Sequence, residues 1–265
     1  MITETMLKAA IAASEVILDV YARPFIAESK TDGSPVTEAD QGAEAVILEL
    51  LAPLGIPVLG EESVAAGNIP ELGRRFFVVD PLDGTKEFLK RNGEFTVNIA
   101  LTEGGRPVSG VVLAPVTGDI FWTSADGAMA GRVVDGVVTG ARQISVDHAP
   151  PLRIVASRSH GHAALAALCE TMKVAEDVSV GSSLKFCLLA EGKAQLYPRF
   201  TPTSEWDTAA GQAVLEAAGG VVLNLDGTPL SCGHPERKFL NGYFVAAANQ
   251  DLAQRALAEM QRLLA

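Results

Sequence analysis

At 265 residues the chain is long enough to bury a sizeable core, in one two-lobed domain or in two small ones. A hydrophobic fraction of 48% and a charged fraction of 20% are ordinary for a globular protein. The net charge of -11 excludes broad binding to nucleic-acid polymers, which needs many Lys and Arg contacts to phosphate, but leaves room for a small anion where metal or clustered basic residues neutralise its surroundings.

Three widely spaced cysteines, Cys169, Cys187 and Cys232, fit a reduced cytoplasmic protein better than a disulfide framework or a zinc site. No apolar stretch approaches the roughly 20 residues needed to span a bilayer. The first residues lack the basic leader and continuous apolar run of a secretory signal.

The first predicted element is a helix from about Thr5 to Tyr21, with apolar residues at helical spacing at 7, 10, 11, 17, 18 and 21. A break rich in Lys, Asp, Gly, Ser and Pro follows at Ser29 to Pro35. Thr37 then opens a second helix, whose apolar face runs through Ala43, Val46, Ile47, Leu50 and Leu51 to a stop at Pro53 and Gly55. Pro57 to Leu59 reads as a short strand leading into Gly60-Glu61-Glu62-Ser63, and Arg75 to Val79 as a buried strand ending on an acidic motif. Apolar, β-branched runs over 95–103, 107–114 and 119–124, separated by Gly and Pro turns, predict an antiparallel meander. Beyond Arg153, strands near 153–157, 193–197, 220–224 and 243–248 alternate with helices near 161–172, 183–191, 205–218 and 250–264, an α/β layout. The expected organisation is an N-terminal α+β lobe over 1–150 and a C-terminal α/β lobe over 151–265, divided at Ala149-Pro150-Pro151.

The stretch Val78-Val79-Asp80-Pro81-Leu82-Asp83-Gly84-Thr85 is the candidate centre of an active site. Asp80 and Asp83 stand three apart at the end of an apolar strand, and Pro81 stiffens the turn between them. Both carboxylates and the Leu82 carbonyl can converge on one spot, an all-oxygen set that selects Mg²⁺ or Mn²⁺ over Zn²⁺. Gly84 and Thr85 add backbone N–H groups, and Thr85 a hydroxyl. An ordinary Asp-Gly turn accounts for Asp83 but not for Asp80. Haloacid-dehalogenase-type phosphatases place two aspartates two apart and use the first as a nucleophile. The spacing of three with an intervening proline makes Asp80 a ligand instead.

Glu61 and Glu62 follow a predicted strand and a glycine, where a solvated surface is the ordinary reading. Asp40, three residues after Thr37, fits a capping box. Asp207, three after Ser204 at another predicted helix start, fits the same account, with the helix dipole favouring its charge. Each acid is explicable singly, but capping does not explain the set. Basic groups fall in the second half. Ser182, Ser183 and Lys185 follow Gly181 at a predicted helix start, where backbone N–H groups favour an anion. Arg199 follows Tyr197-Pro198 just past a predicted strand, and His160 lies in Ser157-Arg158-Ser159-His160, past another. An exposed, snorkelling side chain is the ordinary reading of Lys185 or Arg199 alone. His148, His162 and His234 form no pattern.

Together, Gly60-Glu61-Glu62-Ser63, Phe77-Val78-Val79-Asp80-Pro81-Leu82-Asp83-Gly84-Thr85 and Trp206-Asp207-Thr208-Ala209-Ala210-Gly211 resemble the signatures of the inositol-monophosphatase superfamily of lithium-sensitive, Mg²⁺-dependent phosphatases. Within it, Asp32-Gly33-Ser34-Pro35-Val36-Thr37-Glu38-Ala39-Asp40, the run Lys86-Glu87-Phe88 through Leu101, and Gly181-Ser182-Ser183-Leu184-Lys185-Phe186-Cys187 through Phe200 are similar to the bacterial 3'(2'),5'-bisphosphate nucleotidases. The Gly60-to-Ser63 segment is equally at home in inositol phosphatases.

The resemblance implies a layered αβαβα sandwich of the sugar-phosphatase type and a cytoplasmic hydrolase of sulfur metabolism. It implies that Glu61, Asp80, Asp83, Asp207 and the Leu82 carbonyl hold two or three Mg²⁺ ions, with Mn²⁺ as a substitute. Asp40 would orient Thr85, which with Glu61 activates the attacking water. Gly84, Thr85, His160, Ser182, Lys185, Arg199 and Asp207 would contact the substrate, 3'-phosphoadenosine 5'-phosphate, which is converted to AMP and phosphate. The same chemistry on inositol monophosphate or a sugar bisphosphate is the nearest alternative. A non-catalytic, Mg²⁺-dependent nucleotide sensor is the alternative from another class, and it needs neither Asp40 nor Thr85. Monomer or homodimer, and peripheral association with the inner face of a membrane, stay open at this point.

Overall fold

The computed structural model describes residues 2–29, 35–156 and 163–265. Helices α1 (Ile2–Tyr21) and α2 (Glu38–Leu51) lie against each other through small residues, with Ala9, Ala13, Ala39 and Ala43 fully buried. Between them, β1 (Ala27–Ser29) and β2 (Pro35–Thr37) form an antiparallel pair where the sequence suggested only a break. The capping box at Thr37 is present: its Oγ1 accepts from the Ala39 N–H, and its own N–H donates to Asp40 Oδ2 at 2.7 Å.

Strand β3 (Val58–Gly60) leads into the short helix α3 (Glu61–Ala65) and runs parallel to β4 (Arg75–Asp83). In β4 the sides alternate, Phe77 and Val79 packing toward α1 and α2, Phe76 and Val78 toward the middle of the molecule. After α4 (Thr85–Leu89), strands β5 (Thr96–Glu103), β6 (Arg106–Leu113), β7 (Asp119–Ser124), β8 (Gly127–Val134) and β9 (Val137–Gln143) complete a seven-stranded sheet in the order β3-β4-β5-β6-β7-β8-β9. The expected meander is therefore longer by β8 and β9. Strand β9 is exposed along almost its whole length, so no buried apolar run announced it.

The chain continues through β10 (Arg153–Ile154), α5 (Ala163–Thr171), β11 (Glu176–Asp177), α6 (Leu184–Ala190), β12 (Leu196–Arg199), β13 (Thr203–Ser204), α7 (Ala209–Ala217), β14 (Val221–Asn224), β15 (Leu240–Asn241), β16 (Phe244–Ala247) and α8 (Gln250–Leu264). Five of these strands form a second sheet in the order β11-β10-β12-β16-β14, while β13 and β15 pair separately. Two sequence expectations shift in ways that matter to the site. The strand expected near 193–197 lies at Leu196–Arg199, which places Arg199 at its end. The helix expected from 205 begins at Ala209, so Asp207 sits in the turn before it.

The layers run α1 and α2, first sheet, α6 and α7, second sheet, α5 and α8, the layered αβαβα sandwich. Three apolar clusters fill the spaces between them. The middle cluster draws on both halves of the chain, from Val78, Ala100 and Val112 to Phe186, Val214 and Phe244. The halves of the chain on either side of residue 150 share this core.

Helix α7 approaches the first sheet closely because Gly110 has no side chain. A Cβ there would lie 2.4 Å from the Ala210 carbonyl oxygen, and backbone cannot yield as a flexible side chain would. Gly110→Ala should therefore lower unfolding stability by about 1–3 kcal/mol, the usual range for overpacking, read as a lower urea midpoint. Since α7 follows the turn that carries Asp207, activity should fall with it.

Candidate active site

In a regular strand, residues three apart point to opposite faces. Asp80 and Asp83 escape this because the pairing of β4 with β5 shifts register between them: Asp80 stands opposite Asn98, and Asp83 opposite Thr96. Three steps on β4 span two on β5, and this bulge turns both carboxylates toward one place. Asp207 joins them from the turn before α7, and one carboxylate oxygen of each lies within 4.8 Å of the others. Glu61, in the first turn of α3, reaches Asp80 through a side-chain hydrogen bond.

Backbone donors aim these acids. The Leu82 N–H donates to Asp80 Oδ1 at 3.0 Å, and the Ser204 N–H to Asp207 Oδ2 at 2.9 Å. The second bond closes the turn that precedes α7, whose N-cap is Thr208, so Asp207 does not cap a helix start as its spacing from Ser204 suggested. Thr85 Oγ1 lies 3.1 Å from Asp40 Oδ1 and 3.4 Å from the Leu82 carbonyl oxygen, so the structure brings Asp40 and Thr85 together.

Sequence reasoning missed Glu44. Its buried carboxylate accepts from the Glu62 N–H at 2.8 Å, the Ser63 N–H at 2.7 Å and the Ser63 hydroxyl at 2.5 Å, capping α3 and fixing Glu61 beside the other acids. Its position four after Asp40, on the same face of α2, was the available signal. Gly60 is required next to it, since a Cβ would lie 2.7 Å from the Glu44 carboxylate. Asn98, buried beside the acids, was also missed; Ser183, expected at a helix start that favours an anion, is buried there as well, and its side chain makes no cap hydrogen bond.

The electrostatics say what the cluster can hold. Burial, then repulsion from Glu61, Asp83 and Asp207, pushes Asp80 well above the usual carboxylate range. Burial also raises Asp83, against the opposing charge of Lys185. Asp207 is pushed up to about 8 by burial and then by Asp83 and Glu61. Buried acids crowded in this way must take up protons or gain a cation. A donor set made only of oxygens fits a hard divalent ion such as Mg²⁺.

A cleft of ≈ 250 Å³ opens beside the acids, lined by Asp83, Gly84 and Asp207 together with Lys185, Tyr197 and Arg199. Lys185 does not snorkel. Only 6% of it is exposed, and its Nζ donates to the Ser182 carbonyl at 2.7 Å and lies 5.8 Å from the Tyr197 ring centroid. Desolvation lowers its pKa to about 8 despite the pull of Asp83. Arg199 Nε donates to the Thr201 carbonyl at 3.2 Å. Ser182, held at a positive φ of 46°, lines the cleft, and its buried Oγ has no hydrogen-bond partner among the described residues. His160 lies outside the described residues.

Two tests follow from this geometry. An acid with a raised pKa holds a proton in the folded state that the unfolded chain has lost, so cation-free stability falls as pH rises between the two values. Tm in EDTA should therefore drop from about pH 5 to about pH 8 and be restored by Mg²⁺, and Asp207→Asn should flatten that drop. A pH-independent Tm in EDTA would contradict the crowding of these acids. Glu44→Gln should weaken activity about 10–100-fold, the usual effect of disturbing a group that orients a metal ligand, with the circular dichroism spectrum retained.

Comparison with known proteins agrees with this geometry. The family model described as the inositol monophosphatase family matches residues 1–265. The 3'(2'),5'-bisphosphate nucleotidase CysQ of Salmonella typhimurium is 50% identical, the match covering 88% of this chain and 94% of the relative. The protein of the same name from Escherichia coli is 48% identical with the same coverage. Among solved structures, CysQ from Bacteroides thetaiotaomicron superposes with a TM-score of 0.76 at 38% identity, covering 93% of this chain and 97% of that one. An inositol monophosphatase from Anabaena gives 0.77 at 24% identity, covering 98% and 95%, and so shows the shared fold alone. The chain belongs to the inositol monophosphatase family, a family of metal-dependent phosphatases.

Proposed function

We propose that the chain hydrolyses the 3'-phosphate of 3'-phosphoadenosine 5'-phosphate to AMP and phosphate, with Mg²⁺ as its resident cation and Mn²⁺ as a working substitute. The observation that carries this reading is one cleft lined both by acids, Asp83 and Asp207, and by basic groups, Lys185 and Arg199. A ligand with two phosphates matches both sets, one phosphate reached through cations and the other held by basic side chains. The names of the relatives at 48–50% identity support a bisphosphorylated nucleotide as that ligand.

In this reading Glu61, Asp80, Asp83, Asp207 and the Leu82 carbonyl hold two or three ions. When bound, the ions supply Lewis-acid stabilisation of phosphate charge and activation of water. Asp40 fixes the hydroxyl of Thr85 by accepting its hydrogen, which leaves the Thr85 oxygen free to accept from the attacking water. Glu61 borders the same position. The N–H groups of Gly84 and Thr85 hold phosphate oxygens as charge develops on them. Ser182, Lys185, Arg199 and His160 bind the rest of the nucleotide, with Arg199 suited to a forked contact with phosphate. Asp207 borders cation and substrate alike. All these residues come from one chain, so the proposed activity does not need a second copy.

Phosphate release should be fastest from the bisphosphate nucleotide in a panel with inositol monophosphate and a sugar bisphosphate, and should require Mg²⁺ and be inhibited by Li⁺. Equal or faster release from inositol monophosphate would overturn the substrate. Asp83→Asn should lower kcat more than about 100-fold, beyond the loss typical of outer-lying residues. Lys185→Ala should raise KM for the bisphosphate about tenfold or more, as expected for losing one charged hydrogen bond, and leave KM for a small monophosphate little changed. An equal rise for both substrates would remove Lys185 from the second phosphate.

A further inference from the structure

We propose that Asn98 and Ser183 act as one positioning bridge, which fixes Asp83 relative to Asp207 and thereby sets the affinity of the site for its divalent cation. The proposal rests on the metal-binding reading above.

Asn98 is 1% exposed, in the middle of a strand whose neighbours Val97, Ile99 and Ala100 are all buried and apolar. It points to the inner side of the first sheet, the side of Ala100, where α6 and α7 pack. Its Nδ2 lies 2.9 Å from Ser183 Oγ and 3.4 Å from Asp83 Oδ2. The Ser183 hydroxyl donates onward to the Asp207 carbonyl at 2.6 Å. The direction of the chain is fixed by its ends. A carboxylate and a carbonyl only accept, so the Asn98 amide must present its hydrogens and Ser183 must pass its own on. A flipped amide would set its oxygen against the Asp83 carboxylate and against a hydroxyl whose proton is already used.

Neither residue is accounted for by local structure. Ser183 stands at the N-cap of α6, yet its side chain makes no cap hydrogen bond and its backbone is αR, not extended. Its hydroxyl is spent across the site instead. Asn98 buries an amide whose Oδ1 has no partner among the described residues, an unfavourable arrangement for a strand that would pack better with an aliphatic side chain. The bridge runs from β5 through the start of α6 to the turn before α7, and so ties Asp83, at the end of β4, to the turn that carries Asp207.

Mg²⁺ alone is titrated into the cation-free full-length protein, followed by calorimetry and by the rise in Tm, for the wild type, Asn98→Ala, Ser183→Ala and the double variant. Each single change should raise Kd about 10–100-fold, the range for groups that orient metal ligands. The double variant should be no worse than the weaker single, because the two act as a unit. Ser183→Ala removes one oxygen atom, so it keeps the test decisive even where Asn98→Ala does not fold. Wild-type Kd in Ser183→Ala, or a lowered Tm in EDTA with unchanged Kd, would overturn the bridge and leave the metal site standing. Absence of Mg²⁺ binding in the wild type would overturn the metal reading itself.

Discussion

The mutual repulsion of buried carboxylates governs this structure. Asp80, Asp83 and Asp207 are drawn together out of water, and Glu61 beside them adds to the strain on Asp80. No helix or strand preference brings such groups together; left alone they would separate into solvent. Each is therefore held by something that cannot move: a bulged strand for Asp80 and Asp83, a backbone donor at Ser204 for Asp207, and the carboxylate of Glu44 beneath the helix that carries Glu61. A cation placed among them would relieve that repulsion, in keeping with a family of metal-dependent phosphatases.

The layered fold supplies that rigidity. The first sheet presents Asp80 and Asp83 at the end of a strand sealed on both faces, by α1 and α2 outside and by α6 and α7 inside. Close packing sets how far Asp207 stands from them, and glycines permit it. Gly110 lets α7 approach β6, and Gly211 lets it approach Phe186, where a Cβ would lie 2.6 Å from the ring. The same middle layer carries Lys185 and, through Phe186 and Tyr197, leads to Arg199, so the basic residues that line the cleft belong to the packed unit that positions the acids.

A buried lysine also stands beside the buried acids of the cleft. Desolvation lowers the Lys185 pKa to about 8, and a bound phosphate would restore its preference for charge. Charge on ligand, cation and side chain would thus be coupled, and an anionic nucleotide and a metal would favour each other's binding in spite of the protein's net charge of -11.

What the sequence by itself determined was local in origin. Strand β4 was legible as an apolar run, and Pro81 and the three-residue spacing marked its end as more than a turn. The capping box at Thr37 was legible because it depends on residues three apart. Strands β8 and β9 were not, because β9 lies in solvent and carries no buried pattern to read. Only tertiary structure decided that Lys185 is buried, not a solvated side chain, that Asp207 lies before its helix and not within it, and that the side chains of Glu44, Asn98 and Ser183 join the hydrogen bonds around the acids. Those three are ordinary polar residues in sequence. Their roles come from partners 15 to 85 residues away, and a contact of that range is set by how layers pack, which no local spacing records.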